Sequence, residues 1–178
     1  LDPHCRDTYS LNHKCEVQGD INKISLRGIT ETADIVTAGF PCQPFSTIGK
    51  RQGFSHPTQG TLFHDVVRIM RQKRNKAFLL ENVVGLQSHS NGDTFKVIKN
   101  SLTELGYRWD YKVLDAADFG VPQHRSRIYI VGFRNDLGIE EFEYPKPPKQ
   151  PVSFEDVKEE NTVSVKYYLS VTYLNTLI

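Results

Sequence analysis

The sequence predicts an α/β fold with a mostly parallel sheet, and two observations carry that reading. Stretches of strand length stand at 35–37, 77–80 and 128–133, apolar throughout or nearly so, and at 107–114, where apolar and polar residues alternate. Amphipathic stretches of helix length, 61–76 and 94–105, are interleaved with them. Strands that alternate with helices in this way wind into a sheet with the helices packed on it. The chain can bury a sizeable core, since 38% of its 178 residues are hydrophobic and 11% aromatic.

Taken in order, Asp2-Pro3 reads as an N-cap followed by a proline in the first turn, which starts a helix over 1–13. Residues 15–17 read as a brief strand ended by Gly19-Asp20, and 24–29 as a helical turn. The strand at 35–37 breaks at Gly39 and hands the chain to Pro41-Cys42-Gln43-Pro44. Proline fixes φ and pushes the residue before it toward extended backbone, so Cys42 is presented on a stiff turn rather than packed. Gly49, Gly53 and Gly60 then punctuate about 20 residues with little apolar periodicity, the mark of a functional loop.

Leu62, Val66, Ile69 and Met70 fall at helical spacing, with Phe63 and Val67 broadening the stripe. The strand at 77–80 ends at Glu81-Asn82, and Asn91-Gly92-Asp93 makes a turn before a second helix stopped by Gly106. The polar run Gln123-His124-Arg125-Ser126-Arg127 leads into the last strand. The proline-rich segment 144–151 reads as a stiff extended linker, with a weakly helical 154–178 beyond it. A core over 1–143 and a linker with lead-in over 144–178 follow from that shift.

Composition excludes several classes. No run approaches the ~18 apolar residues that a membrane helix needs, and no signal peptide opens the chain. Three cysteines, Cys5, Cys15 and Cys42, lack paired metal spacing. They argue for a reducing, cytosolic setting without a disulfide framework or a bound metal. The net charge of +1 hides a basic stretch, 49–76, with seven cations against Asp65, and an acidic one, 137–160, with seven acids against three lysines. The basic stretch suits an anionic partner such as a nucleic-acid backbone, and equally a solvated helix face.

Functional residues of an open α/β sheet gather at the carboxyl ends of its strands. Two features end strands here, the Cys42 loop and Glu81-Asn82. If those strands are neighbours, a thiol and a carboxylate share one pocket, and a thiol so presented is a candidate nucleophile.

Three blocks match a known pattern in order and separation: GFPCQPFS at 39–46, LLENVVGL at 79–86 and QHRSRIYIVGF at 123–133. GTLFHDVVRI at 60–69 and Gly19-Asp20-Ile21 extend it. The chain resembles the cytosine carbon-5 DNA methyltransferase family over nearly its whole length. The resemblance implies a three-layer sheet of the S-adenosylmethionine-dependent, Rossmann-like methyltransferase type, incomplete at both ends. The family's glycine-containing cofactor turn falls before Leu1, and its target-recognition region falls after Ile178. On that basis the isolated chain is expected to be marginally stable and to lack measurable methyl transfer.

The resemblance also implies roles. Cys42 is the nucleophile, forming a covalent intermediate at carbon 6 of cytosine. Glu81, acting protonated, serves ring nitrogen 3. Arg127 holds the exocyclic oxygen, and Arg125 supports the glutamate or a phosphate. Asp20 and Ile21 meet the adenine of S-adenosylmethionine, with Phe40, Pro41 and Leu62 lining its other side. Gln43, Ser46, Lys50 and Arg51 lie in the loop expected to meet double-stranded DNA, and Asn82 frames the pocket. The implied protein is a monomeric bacterial cytoplasmic enzyme of restriction–modification. The competing readings are a tRNA-directed enzyme of the same chemistry, a non-catalytic remnant that at most binds nucleic acid, and, remotely, a cysteine hydrolase.

Overall fold

The computed structural model describes residues 2–17, 19–26, 32–41, 62–148, 152–161, 164–168 and 170. The chain divides into two compact units, Leu1–Leu114 with Ser126–Pro145, and Asp115–Arg125 with Lys146–Ile178. The first holds helices α1 (Pro3–His13), α2 (Leu62–Lys73) and α3 (Asp93–Glu104), and strands β1 (Ile35–Gly39), β2 (Ala77–Val83) and β4 (Ser126–Arg134). Strand β3 (Tyr107–Asp115) belongs to it up to Leu114. The sheet order is β1-β2-β4-β3.

β1 and β2 are parallel neighbours joined through α2, while β2 and β4 run antiparallel. The fold class is α/β as read, but the sheet is mixed rather than mostly parallel. The reason lies in chain length. A parallel return needs a crossover of a dozen or more residues, and only the short segment 116–125 separates β3 from β4.

Burial follows from alternation along the strands. Phe78, Leu80, Ile128 and Ile130 point to one face, where α2 supplies Phe63, Val66, Val67 and Met70 and α3 supplies Phe95, Ile98 and Leu102. These side chains form one continuous cluster with Phe40, Leu86 and Tyr107. The other face carries Ile35, Leu79 and Val83, which remain 60%, 39% and 42% exposed. Among the described residues the sheet is therefore covered by helices on one side, two layers where the resemblance implies three.

Gly132 marks the tightest packing on the covered face. It is the Cα partner of Phe78, and a Cβ there would overlap the Phe78 ring and stand 2.9 Å from Trp109 Cβ.

Several local expectations change. α1 begins as read: the Asp2 carboxylate accepts from the backbone N–H of His4 at 2.8 Å and of Cys5 at 3.3 Å, with Pro3 opening the helix. Residues 15–17 form no strand. Their short polar-apolar run has no partner to complete a ladder among the described residues. A 3₁₀ turn over Ile21–Lys23, capped by the Asp20 side chain, precedes the expected helical turn at 24–29, of which residues 27–29 lie outside the described residues. Past 153 the second unit shows two short 3₁₀ turns, Phe154–Asp156 and Val165–Tyr167.

Candidate active site

The parallel register sets the site. Gly39, the last residue of β1, is the Cα partner of Glu81 on β2, and Glu81 is opposite Tyr129 on β4. Arg127 pairs with Val83, two residues further along β2. Glu81 and Arg127 are thus diagonal neighbours on one face, a spacing long side chains bridge. Arg127 Nε donates to Glu81 Oε1 at 3.0 Å, and Arg127 Nη1 donates to the Ser126 carbonyl at 2.8 Å. The two side chains are 20% and 36% exposed, so the pair is reachable from solvent without being washed by it.

Gly39 makes room for this pair. A Cβ at that position would stand 3.1 Å from Glu81 Oε2, closer than side chains accept without displacement. Sequence reading took Gly39 only as the break that ends the strand. Its second role has a recognisable signal, because glycine at a strand end often marks a close approach.

Asn82 ties the two strand ends together. It is 3% exposed; its Nδ2 donates to the Phe40 carbonyl at 2.7 Å and its Oδ1 accepts from the Val83 N–H at 2.8 Å. Both of its bonds are to backbone. Phe40 is buried and its ring meets Phe63 of α2 at 5.2 Å between centroids. The segment Gly39-Phe40-Pro41 is therefore anchored by β2 and α2 together. Cys42, Gln43, Ser46, Lys50 and Arg51 follow it and lie outside the described residues. Arg125 belongs to the second unit, where its N–H donates to Asp115 Oδ1 at 3.2 Å. The ion pair with Glu81 is made by Arg127.

In the turn before Ile21–Lys23, Asp20 Oδ1 accepts from Asn22 N at 3.0 Å and Asn22 Nδ2 at 2.9 Å. The Asn22 backbone N–H, then its side-chain amide, hold the Asp20 carboxyl below the usual carboxylate range. A charged acceptor beside half-buried Ile21, with Leu62 at the start of α2 and Phe40 packed on that helix, has the chemistry to take a purine with its exocyclic amine. Pro41 is exposed. These residues fit S-adenosylmethionine. Among the described residues no group of His, Cys, Asp and Glu could hold a metal ion.

The basic stretch resolves into separate tasks. Arg68 pairs with Asp65 at 3.0 Å, and Lys76 pairs with Asp34 at 3.0 Å. Arg71 and Arg74 line a cavity of about 160 Å³ with Met70, Glu104, Leu105, Tyr107 and Arg134. That cavity lies beyond the start of β2, about five residues or 15 Å along the strand from Glu81. Among the described residues, the charge of 62–76 does not gather at the glutamate.

A strand-borne acid–arginine pair thus stands beside the end of a β-α-β unit. Comparison with known proteins makes this specific. A family described as C-5 cytosine-specific DNA methylase matches residues 1–178, and the chain belongs to that family. It is 49% identical over 99% of its length to the type II methyltransferase M.HpaII of Haemophilus parainfluenzae, covering 50% of that protein. It is 46% identical over 98% of its length to M.MspI of a Moraxella species, covering 41% of it. The chain spans about half the length of the curated relatives it matches.

Solved structures share the fold. A putative DNA modification methyltransferase from an Escherichia coli prophage superposes with a TM-score of 0.70 at 24% identity, over 88% of this chain and 45% of the other. A mutant DNMT2 of Spodoptera frugiperda gives 0.68 at 24% identity, over 92% and 51%.

Proposed function

We propose that the protein transfers a methyl group from S-adenosylmethionine to carbon 5 of a cytosine flipped out of double-stranded DNA, through a covalent adduct with Cys42. The setting is bacterial restriction–modification in the cytoplasm, in keeping with the type II methyltransferases it is similar to. One observation carries the reading: Glu81, held by Arg127, stands beside Gly39 at the edge from which Phe40-Pro41 leads into Cys42.

The Cys42 thiolate adds to carbon 6, forming a carbon–sulfur bond and pushing ring electrons toward nitrogen 3 and the exocyclic oxygen. Glu81 must carry a proton to answer that charge. In the ion pair it is an acceptor, so the entering base draws Arg127 toward the exocyclic oxygen and leaves Glu81 to take up a proton and give it to nitrogen 3. S-Adenosylmethionine, when bound, supplies an electrophilic methyl group for the now nucleophilic carbon 5. Asp20 and Ile21 hold its adenine, with Phe40, Pro41 and Leu62 on the other side. A base then removes the carbon 5 proton, the carbon–sulfur bond breaks and the thiolate is restored. Gln43, Ser46, Lys50 and Arg51 contact the DNA, Arg125 meets a phosphate, and the duplex pays for unstacking when the base is extruded.

The test is covalent trapping. Duplex DNA with 5-fluorocytosine in place of cytosine blocks loss of the carbon 5 substituent, so the full-length protein is expected to form a denaturation-resistant adduct that needs the methyl donor. The Cys42→Ser variant is expected to form none. An adduct that survives this substitution, or no adduct from the unaltered protein, overturns the reading.

A further inference from the structure

We infer that Arg68 is the positioning residue for the cofactor turn, clamping Asp20 and Ile21 in the shape that receives adenine. This rests on the reading of that turn as a cofactor site. The turn needs such a clamp: it is three residues long, Ile21–Lys23, and none of them is buried. Beyond the Asp20 carboxylate's cap on Asn22, its internal bonds are Lys23 N–H to the Asp20 carbonyl at 2.8 Å and Ile24 N–H to the Ile21 carbonyl at 3.4 Å. A single 3₁₀ turn with that little packing does not hold its own shape.

Arg68 supplies what the turn lacks. From the middle of α2 its Nη2 donates to the Ile21 carbonyl at 2.7 Å and its Nη1 to the Ile24 carbonyl at 3.3 Å. The guanidinium thus bridges the first helical residue of the turn and the residue that caps it. Its Nε donates to Asp65 Oδ1 at 3.1 Å, one turn back on α2, and Asp65 is only 15% exposed. A planar fork of fixed N–H donors, braced by a carboxylate on a rigid helix, defines both distance and angle. Lysine, with one ammonium on a flexible stem, cannot meet three acceptors in that arrangement.

The geometry also separates this role from the nucleic-acid reading of the same basic stretch. The guanidinium, on a side chain 39% exposed, is already engaged by two carbonyls and a carboxylate, which leaves it fewer donors for a phosphate. Since α2 also carries Leu62 and packs Phe63 on Phe40, one helix sets both sides of the purine site.

The test uses Arg68→Met and Arg68→Lys in the full-length protein. Calorimetry reads S-adenosylmethionine affinity, fluorescence anisotropy reads DNA affinity, and amide exchange without cofactor reads the turn itself. Arg68→Met is expected to weaken cofactor binding about 10- to 100-fold, the worth of one or two charge-assisted hydrogen bonds, with DNA affinity within about twofold. Exchange at Lys23 and Ile24 is expected to quicken. Arg68→Lys, which keeps the charge and stem, is expected to stay folded and recover part of the loss; it decides the matter if the methionine variant does not fold.

Unchanged cofactor affinity in a folded variant, or a fall in DNA affinity with cofactor binding retained, overturns the clamp. Equal losses of both affinities together with melting temperature also overturn it, as general destabilisation. Asp20→Asn distinguishes the two levels of failure. If Asp20→Asn weakens cofactor binding and Arg68→Lys and Arg68→Met do not, only the clamp fails. If Asp20→Asn binds cofactor normally, the turn is no cofactor site and the clamp falls with it.

Discussion

The two ends of strand β2 are built from similar residue types used in opposite ways. At its start, beside the Lys76–Asp34 and Arg134–Asp136 ion pairs, three polar side chains also donate to backbone carbonyls. Asn75 Nδ2 donates to the Ala33 carbonyl at 2.6 Å, the Tyr107 hydroxyl donates to the Asn75 carbonyl at 2.6 Å, and Arg134 Nη1 donates to the Arg74 carbonyl at 2.5 Å. At its finish the ionisable groups meet each other, Arg127 on Glu81, beside a glycine that leaves space. The Arg134 Nη1 bond to the Arg74 carbonyl is a staple, because that acceptor cannot change charge, although Arg134 Nε also meets the Asp136 carboxylate. An arginine committed to a carboxylate can be released by one proton or by a competing ligand, and it holds a site in readiness.

That contrast can be broken at either end. The largest effect belongs to Glu81→Gln, which removes the proton donor and keeps the shape. Methyl transfer to DNA is expected to fall about 100- to 10,000-fold, as for loss of a general acid. Chemical denaturation of the same variant is expected to shift by less than about 1 kcal/mol, since the ion pair is part-exposed. A large stability loss with activity retained would make Glu81 a staple like those at the far end.

Asn75→Ala is the mirror experiment, with an intermediate effect. It leaves the Ala33 carbonyl without its 2.6 Å donor at a buried position. A loss of about 1–2 kcal/mol in urea unfolding is expected, with turnover within about twofold. A tenfold drop in turnover at unchanged stability would erase the distinction between the ends.

The smallest effect sharpens the comparison through pH. The Tyr144 hydroxyl donates to the Asp110 carbonyl at 2.9 Å, and burial first, then the Asp110 charge, push its pKa up to about 12. The unfolded chain releases that proton near its ordinary value of 10. Stability is therefore full below pH 10 and declines as pH rises toward 12, because only the unfolded state gains from ionising in that window. Unfolding measured across it is expected to show a slope that Tyr144→Phe reduces. An unchanged slope would place the titration elsewhere.

Much of this architecture was legible in the sequence. The apolar stripe of 62–70 became α2, and Gly39 and Glu81, both read as strand endings, are register partners, although β2 runs on past Glu81 to Val83. Strand direction was less visible, since alternation is the same whichever way a strand runs. The short stretch between β3 and β4 was the available clue. Arg68 was read among the basic residues because charge alone does not show what a side chain faces. Its spacing of three from Asp65 on a helix was the one local hint of an inward partner. Asn75 left no pattern at all: its value comes from a carbonyl 42 positions away.

The fit of Gly132 against Phe78 has a consequence for how such a protein can change over generations. The ring occupies the volume a side chain at 132 would need. A lineage can alter the phenylalanine only by opening a void that the glycine cannot fill, and can alter the glycine only by evicting the ring. The two positions therefore carry one choice between them. Drift at this crossing of β2 and β4 has to proceed by paired replacement or stand still.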